Sequence, residues 1–166
     1  MQLFVNTLDT ENGIDELTGD DALRKALGEP LDLAPGDLAR AIELREALRA
    51  LLLQNNGVAA EPADLDALTS AARAARLTLE LDDSGRLRLV PRAPGLAGAL
   101  GRLVVIVHEA ALDGTLARLK ACRRDVCHWA FYDRSRNGSS KWCATSVCGN
   151  RTNTIAYRRR RASVKG

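Results

Sequence analysis

The chain predicts an α+β fold, mainly α: a helical N-terminal domain carrying one β-hairpin, followed by a small four-cysteine module built from a β-hairpin and a basic helix. Three observations lead there. Between residues 20 and 75 apolar residues recur at helical spacing. Between residues 78 and 90 the period changes to two, around a turn. All four cysteines of the 166-residue chain fall between residues 122 and 148, as two short pairs.

The first elements follow from local signals. Leu3-Phe4-Val5-Asn6-Thr7-Leu8 is apolar with a polar break at Asn6-Thr7, and fits a short strand or the first turns of a helix. Asp9–Asp15 is polar and turn-like. Asp20-Asp21 cap a short helix from Ala22 to Leu27, which Gly28 and Pro30 end. Pro35-Gly36-Asp37 opens a long amphipathic helix carrying Leu38, Ala41, Ile42, Leu44, Leu48, Leu51 and Leu52, and Asn55-Asn56-Gly57 stop it. Pro62-Ala63-Asp64 starts another helix with Leu65, Leu68, Ala71, Ala72 and Ala75.

Thr78–Asp82 and Arg86–Val90 then alternate apolar and polar about Asp83-Ser84-Gly85, the pattern of a β-hairpin. Pro91 and Pro94 punctuate. Residues 95–120 are expected as one long helix, apolar in its middle, with Gly114 as its weak point. On this reading it is the central core helix and runs straight into Cys122, a mechanical link between the two parts. The boundary falls at 120/121, with a mainly helical domain over residues 1–120 and the cysteine module over 121–166.

The cysteines read Cys122-x4-Cys127, fifteen residues, then Cys143-x4-Cys148. Two short pairs separated by a spacer bring four thiolates to one tetrahedral ion, and Zn²⁺ is the expected cofactor. Four sulfurs close the coordination sphere, so the metal is expected to be structural. A segment of some 45 residues buries too little surface to fold alone, which a metal brace remedies. His128 adjoins Cys127 and reads as a structural neighbour of the site. His128–Asp133 and Lys141–Cys143 are expected to pair as a hairpin with Asn137-Gly138 at its tip. Trp129, Phe131, Tyr132 and Trp142 read as a small core over the metal, joined by Tyr157. A basic helix is expected from about Val147 to Ala162.

Charge is distributed unevenly. Residues 122–166 hold eleven Lys/Arg against two Asp, while residues 1–121 hold thirteen Lys/Arg against nineteen Asp/Glu. A basic segment on an acidic body points to nucleic acid or another anionic surface as partner. Arg158, Arg159, Arg160 and Arg161 are either phosphate contacts, with Lys141 and Lys165 adding charge, or a solvated face of the helix. Asn150 and Arg151, at the helix start, are candidates to reach bases, and Arg151 could equally bond a carboxylate within the protein.

Cys122-x4-Cys127, Trp129–Asn137, Lys141-Trp142-Cys143 and Cys148-Gly149-Asn150-Arg151 together resemble the CGNR-type zinc finger, named after the tetrad at 148–151. In that family a domain called ABATE precedes the finger and opens on an apolar segment containing Phe-Val-Asn-Thr, here Phe4-Val5-Asn6-Thr7. The resemblance implies a bacterial, stress-responsive transcription regulator whose finger binds DNA, with Cys122, Cys127, Cys143 and Cys148 as ligands. The chain departs from the family pattern at Thr152-Asn153 and at Ala144–Val147, and neither departure touches a ligand.

Asn6 and Thr7, polar within an apolar segment, either line a pocket for a small-molecule effector or satisfy buried backbone groups. No acid–base constellation, phosphate loop or nucleophile motif marks an enzyme; His108 and Glu109 are neighbours that face different ways on a helix. The longest aliphatic run, Leu103–Val107, is far short of the roughly 20 apolar residues of a membrane span. Met1–Asn6 lacks the basic and apolar regions of a signal peptide. A cytoplasmic protein without a membrane partner is expected, with a homodimer left open. The alternative function is a zinc-braced protein-interaction module that does not bind DNA directly.

Overall fold

The computed structural model describes residues 1–163, the side chains of residues 156, 158, 159, 162 and 163 excepted. Glycine and proline set most element limits as the sequence implies. Helix α1 spans Gln2–Val5 and is followed by two-residue strands β1 (Leu8–Asp9) and β2 (Ile14–Asp15), paired antiparallel with Leu8 opposite Asp15. This miniature hairpin stands where a plain turn was expected, its strands being too short to show a period. At its tip the Asp9 carboxylate accepts the backbone N–H groups of Glu11 and Asn12.

Helix α2 covers Asp20–Leu27 and stops at Gly28, whose φ of 76° is the left-handed cap that glycine tolerates. Helix α3 runs from Asp37 to Asn55 and α4 from Pro62 to Ala74. Pro62 opens α4, and Glu61 and Asp64 cap each other's backbone N–H reciprocally. Strands β3 (Leu77–Leu81) and β4 (Leu87–Pro91) form the expected hairpin, centred on Leu79 opposite Leu89.

Helix α5 spans Gly95–Leu112 and does not continue to Lys120. The Asp113 carboxylate accepts both the N–H and the hydroxyl of Thr115, Gly114 takes a φ of 79°, and a 3₁₀ turn over Thr115–Arg118 follows. The chain then extends as β5, Leu119–Ala121. The weak point at Gly114 is a true break, so no continuous helix reaches Cys122.

The central core helix is α3, not α5. Ala41, Leu44, Leu48 and Leu52 of α3 are almost wholly buried. Helix α5 buries its N-terminal half through Leu96, Ala99, Leu100 and Leu103, while Ile106, His108 and Leu112 face outward. Gly101 lets α5 close on its neighbours: a Cβ there would collide with the Ala75 methyl and lie 3.0 Å from Pro91 Cβ. By length and composition α5 would suffice to cross a membrane. One face of it packs into the apolar cluster, and Arg102 on it pairs with Glu29.

Strand β6, Ala130–Tyr132, pairs antiparallel with β5, Leu119 opposite Tyr132 and Ala121 opposite Ala130. The expected pairing of His128–Asp133 with Lys141–Cys143 is thus replaced by pairing of Ala130–Tyr132 with the segment before the first cysteine. Ala121 and Ala130 belong to the same apolar cluster as Phe4, Leu48 and Leu100. A π-helical turn over Thr145–Gly149 leads into α6, Asn150–Ser163.

Candidate metal centre

Cys122, Cys127 and Cys148 are placed by backbone hydrogen bonding. Cys122 directly follows β5, and its N–H donates to Trp129 O at 3.0 Å, closing a loop over residues 123–128. Within that loop Cys127 N–H donates to Arg124 O at 2.8 Å, and His128 adopts a left-handed φ of 46°. On the other side Cys148 N–H donates to Ala144 O at 2.9 Å, folding the π turn that carries the fourth sulfur back toward Cys143.

All four Sγ atoms lie within 4.8 Å of one another, with Cys127 to Cys143 and Cys143 to Cys148 both at 3.7 Å. A tetrahedral ion with sulfur bonds of about 2.3 Å has ligand–ligand edges of about 3.8 Å, so the arrangement fits a four-thiolate metal site. Three of the sulfurs are buried and Cys143 is half-buried. Burial pushes the Cys127 thiol up to about 11 and the Cys143 thiol higher still, with neighbouring sulfurs adding to the effect on Cys143. Burial also opposes ionisation of Cys148, but the Cys143 sulfur and the Arg124 guanidinium, 4.0 Å away, outweigh it and lower its pKa. Four thiolates this close need a cation among them to ionise together, which is the condition a bound dication meets.

Gly149 of the tetrad is required by space rather than by a left-handed backbone. A Cβ there would stand 3.0 Å from the Trp142 indole and 3.3 Å from the Thr145 methyl. Trp142 packs against Cys122, Cys127 and Cys148, whereas the other aromatics do not form the expected core over the metal. Trp129 and Tyr132 are about two-fifths exposed, and Tyr157 lies exposed on α6 under the Arg161 guanidinium, 5.7 Å from its ring centre. Phe131 is buried.

The N-terminal segment and α3 hold this module by its backbone. The Asn6 amide is matched to Ala130 on both sides: its Oδ1 accepts the Ala130 N–H at 2.7 Å and its Nδ2 donates to the Ala130 carbonyl at 3.0 Å. Gln2 donates to that carbonyl too. Thr7 is buried, donating to Phe4 O and accepting from Arg45. Asn6 and Thr7 therefore do the second of the jobs their sequence left open, satisfying buried polar groups. Phe4-Val5-Asn6-Thr7 is two core anchors followed by two side chains that complete hydrogen bonds.

Several functional residues carried no sequence signal. The buried Arg49 of α3 donates to His128 O at 3.0 Å and to Val5 O at 2.7 Å. Asn56 donates to Ala121 O and Lys141 O, and Asn55 to Leu116 O and Leu119 O. The sequence marked Asn55-Asn56 only as helix stoppers. Thr10 reaches Cys127 O at 2.5 Å. Lys120 is buried with its Nζ on Asp133 Oδ2 at 2.8 Å and on Gly138 O at 2.5 Å. Asp133 also accepts the N–H groups of Ser135 and Ser140. Burial alone would raise the Asp133 pKa; Lys120 and these donors hold it well below the usual carboxylate range. His128 is lowered by burial and by Arg49.

The candidate anion-binding residues are spread over this module. Lys141 is exposed just before Trp142. Asn150 is exposed, and its amide donates to Ser146 O at 3.0 Å, bracing the π turn. Arg151 takes the intramolecular option, its Nη1 2.7 Å from Glu11 Oε1, while Arg124 binds the other Glu11 oxygen at 2.7 Å. Arg160 and Arg161 are exposed near the end of α6, about 16 Å along the axis from Asn150 at 1.5 Å rise per residue. The side chains of Arg158 and Arg159, and Lys165 entirely, lie outside the described residues.

Comparison with known families accounts for nearly the whole chain. Residues 118–161 match the CGNR zinc finger, and residues 2–121 match ABATE, described as "Putative stress-induced transcription regulator". The two matches overlap along β5, the strand that joins the helical part to the cysteines. No curated protein matches the chain. The chain belongs to the ABATE family, with a CGNR zinc finger as its C-terminal part.

Proposed function

We propose that this chain is a transcription regulator of the bacterial cytoplasm that binds double-stranded DNA through its C-terminal basic helix. The ion held by Cys122, Cys127, Cys143 and Cys148 is Zn²⁺, and it is structural. When bound it cross-links the loop after β5 to the turn before α6, and four sulfurs leave no position for water or substrate. The observation that carries the reading is α6 itself: a basic helix that starts at the last ligand, with exposed Arg160 and Arg161 at its far end. Asn150 and Arg151, at the near end, approach a groove while the distal arginines meet phosphates. The helical body senses a small effector and alters how α6 is presented. No catalytic role is assigned.

One observation favours the alternative, a finger that docks proteins. Glu11 already pairs with Arg151 and Arg124 within the chain, which supports docking of the basic module against acidic protein groups. Titrating duplex binding by the zinc-loaded chain against salt separates the two. DNA binding predicts a log affinity that falls linearly with log salt, with a slope of about −0.9 per phosphate contacted. No binding to any duplex at low salt would transfer the function to protein docking.

A further inference from the structure

We propose that the cleft between α3, α4 and α5 is the effector site and that it selects a small organic cation, a positively charged nitrogen carried on an apolar body. This rests on the sensing role proposed above. The cleft measures about 780 Å³, within the range of small-molecule pockets. Its floor is apolar, from Leu44, Ala47, Leu96 and Leu100, and alanines of α4 such as Ala67 and Ala71 keep its wall low.

The mouth is acidic. Glu43, Glu46, Asp64 and Asp66 line it against a single cation, Arg40. Arg40 is already paired with Asp37 at 3.2 Å, and Asp64 is engaged in capping α4. Among the described residues Glu43 and Asp66 pair with no cation. Carboxylates without counter-ions at the rim of an apolar cavity attract a positive group and repel a carboxylate ligand. The chemistry of the occupant follows: an apolar body for the floor and a cation for the rim.

Glu46 connects this cleft to the metal module. One carboxylate oxygen takes Arg45 Nε at 2.8 Å and the other takes Arg49 Nε at 3.0 Å. Arg49 in turn holds the carbonyl of His128, the left-handed residue that follows the second ligand. A cation seated against Glu46 competes with Arg49 for the carboxylate, so occupancy of the cleft loosens a bond that fixes the loop at Cys127. Helix α3 thus supplies the link that the break at Gly114 denies to α5. The ligand shifts presentation of the finger only to the extent that it binds the two arrangements unequally.

The test is calorimetric titration of the zinc-loaded full chain, without DNA, using octylammonium chloride, 1-octanol and sodium octanoate. Octylammonium is expected to bind about tenfold or more tighter than octanol, with octanoate weakest. In a Glu43→Gln, Asp66→Asn double variant, which alters only exposed rim groups, the preference for the ammonium should collapse to about twofold. Ala67→Leu, which fills the cleft from α4, should abolish binding. Octanol or octanoate binding as tightly as the ammonium, no binding of the ammonium, or a preference unchanged in the double variant would overturn the proposal. Failure here leaves the salt titration with DNA untouched, and failure of DNA binding leaves the cation preference standing, so the two readings are separable.

Discussion

The two halves of the cysteine segment meet the helical body in opposite ways. Residues 119–143 are stitched to it: β5 and β6 share its apolar cluster, and Gln2, Asn6, Thr10, Arg49 and Asn56 all donate to or accept from backbone groups there. Residues 150–163 are a single helix that grows from the last cysteine, tied to the N-terminal hairpin through Arg151 on Glu11. The metal site sits where the fixed half meets the projecting half. The difference teaches that an ion held by these four sulfurs would brace a junction as well as a small appendage, and that the basic charge is concentrated on the part the body uses least.

The largest effect should come from the ion. Structural zinc contributes apparent binding free energies of about 10–16 kcal/mol in small fingers. Cys143→Ser is therefore expected to eliminate stoichiometric zinc and melt α6, while α2–α5 keep their helicity, as metal analysis and circular dichroism would report. Retained zinc would remove Cys143 from the ligand set.

Next in size is the buried pair inside the stitched half. Lys120→Met leaves Asp133 buried without its cation and should cost about 3–5 kcal/mol in urea unfolding. Because the folded-state pKa of Asp133 is depressed, its contribution is complete above the unfolded value of about 4 and is lost as pH falls further toward the folded value. The stability gap between the wild type and Asp133→Asn should therefore hold from neutral pH to about 4 and close below it. A gap that instead closed above pH 5 would assign the effect to another group.

Smaller effects probe the seam. Asn6→Ala removes the acceptor for the Ala130 N–H, which lies in a fully buried residue, at an expected cost of about 1–3 kcal/mol. A neutral result would mean the amide had re-paired elsewhere. Glu11→Gln should have the smallest effect and the opposite sign for function. Releasing Arg151 and Arg124 from an exposed carboxylate should raise duplex affinity about two- to fivefold at low salt, without changing zinc content. A drop in affinity would make Glu11 a support for the helix rather than a competitor for phosphate.

Much of this was legible from local chemistry. The cysteine spacing led directly to the clustered sulfurs, and proline, glycine and acidic residues marked α2, α3, α4 and the β3–β4 hairpin. What escaped was non-local. Residues 115–121 are apolar enough to extend α5 in sequence, and only the Asp113–Thr115 bonds, Gly114 and the partner strand β6 decide against it. His128–Asp133 looked like a strand, but its partner was hidden because β5 has three residues and no period of its own. Arg49 and Lys120 carried no signal in the sequence, since a buried cation is visible only once the carbonyls around it are in place.

Hydrogen exchange of the full chain before and after zinc removal tests most directly whether the metal loop and the body form one cooperative unit. The account predicts that stripping the ion raises exchange in β5 and in residues 4–7 of the body together with the finger. Exchange that rises only within residues 122–163, with β5 and residues 4–7 unchanged, would contradict it.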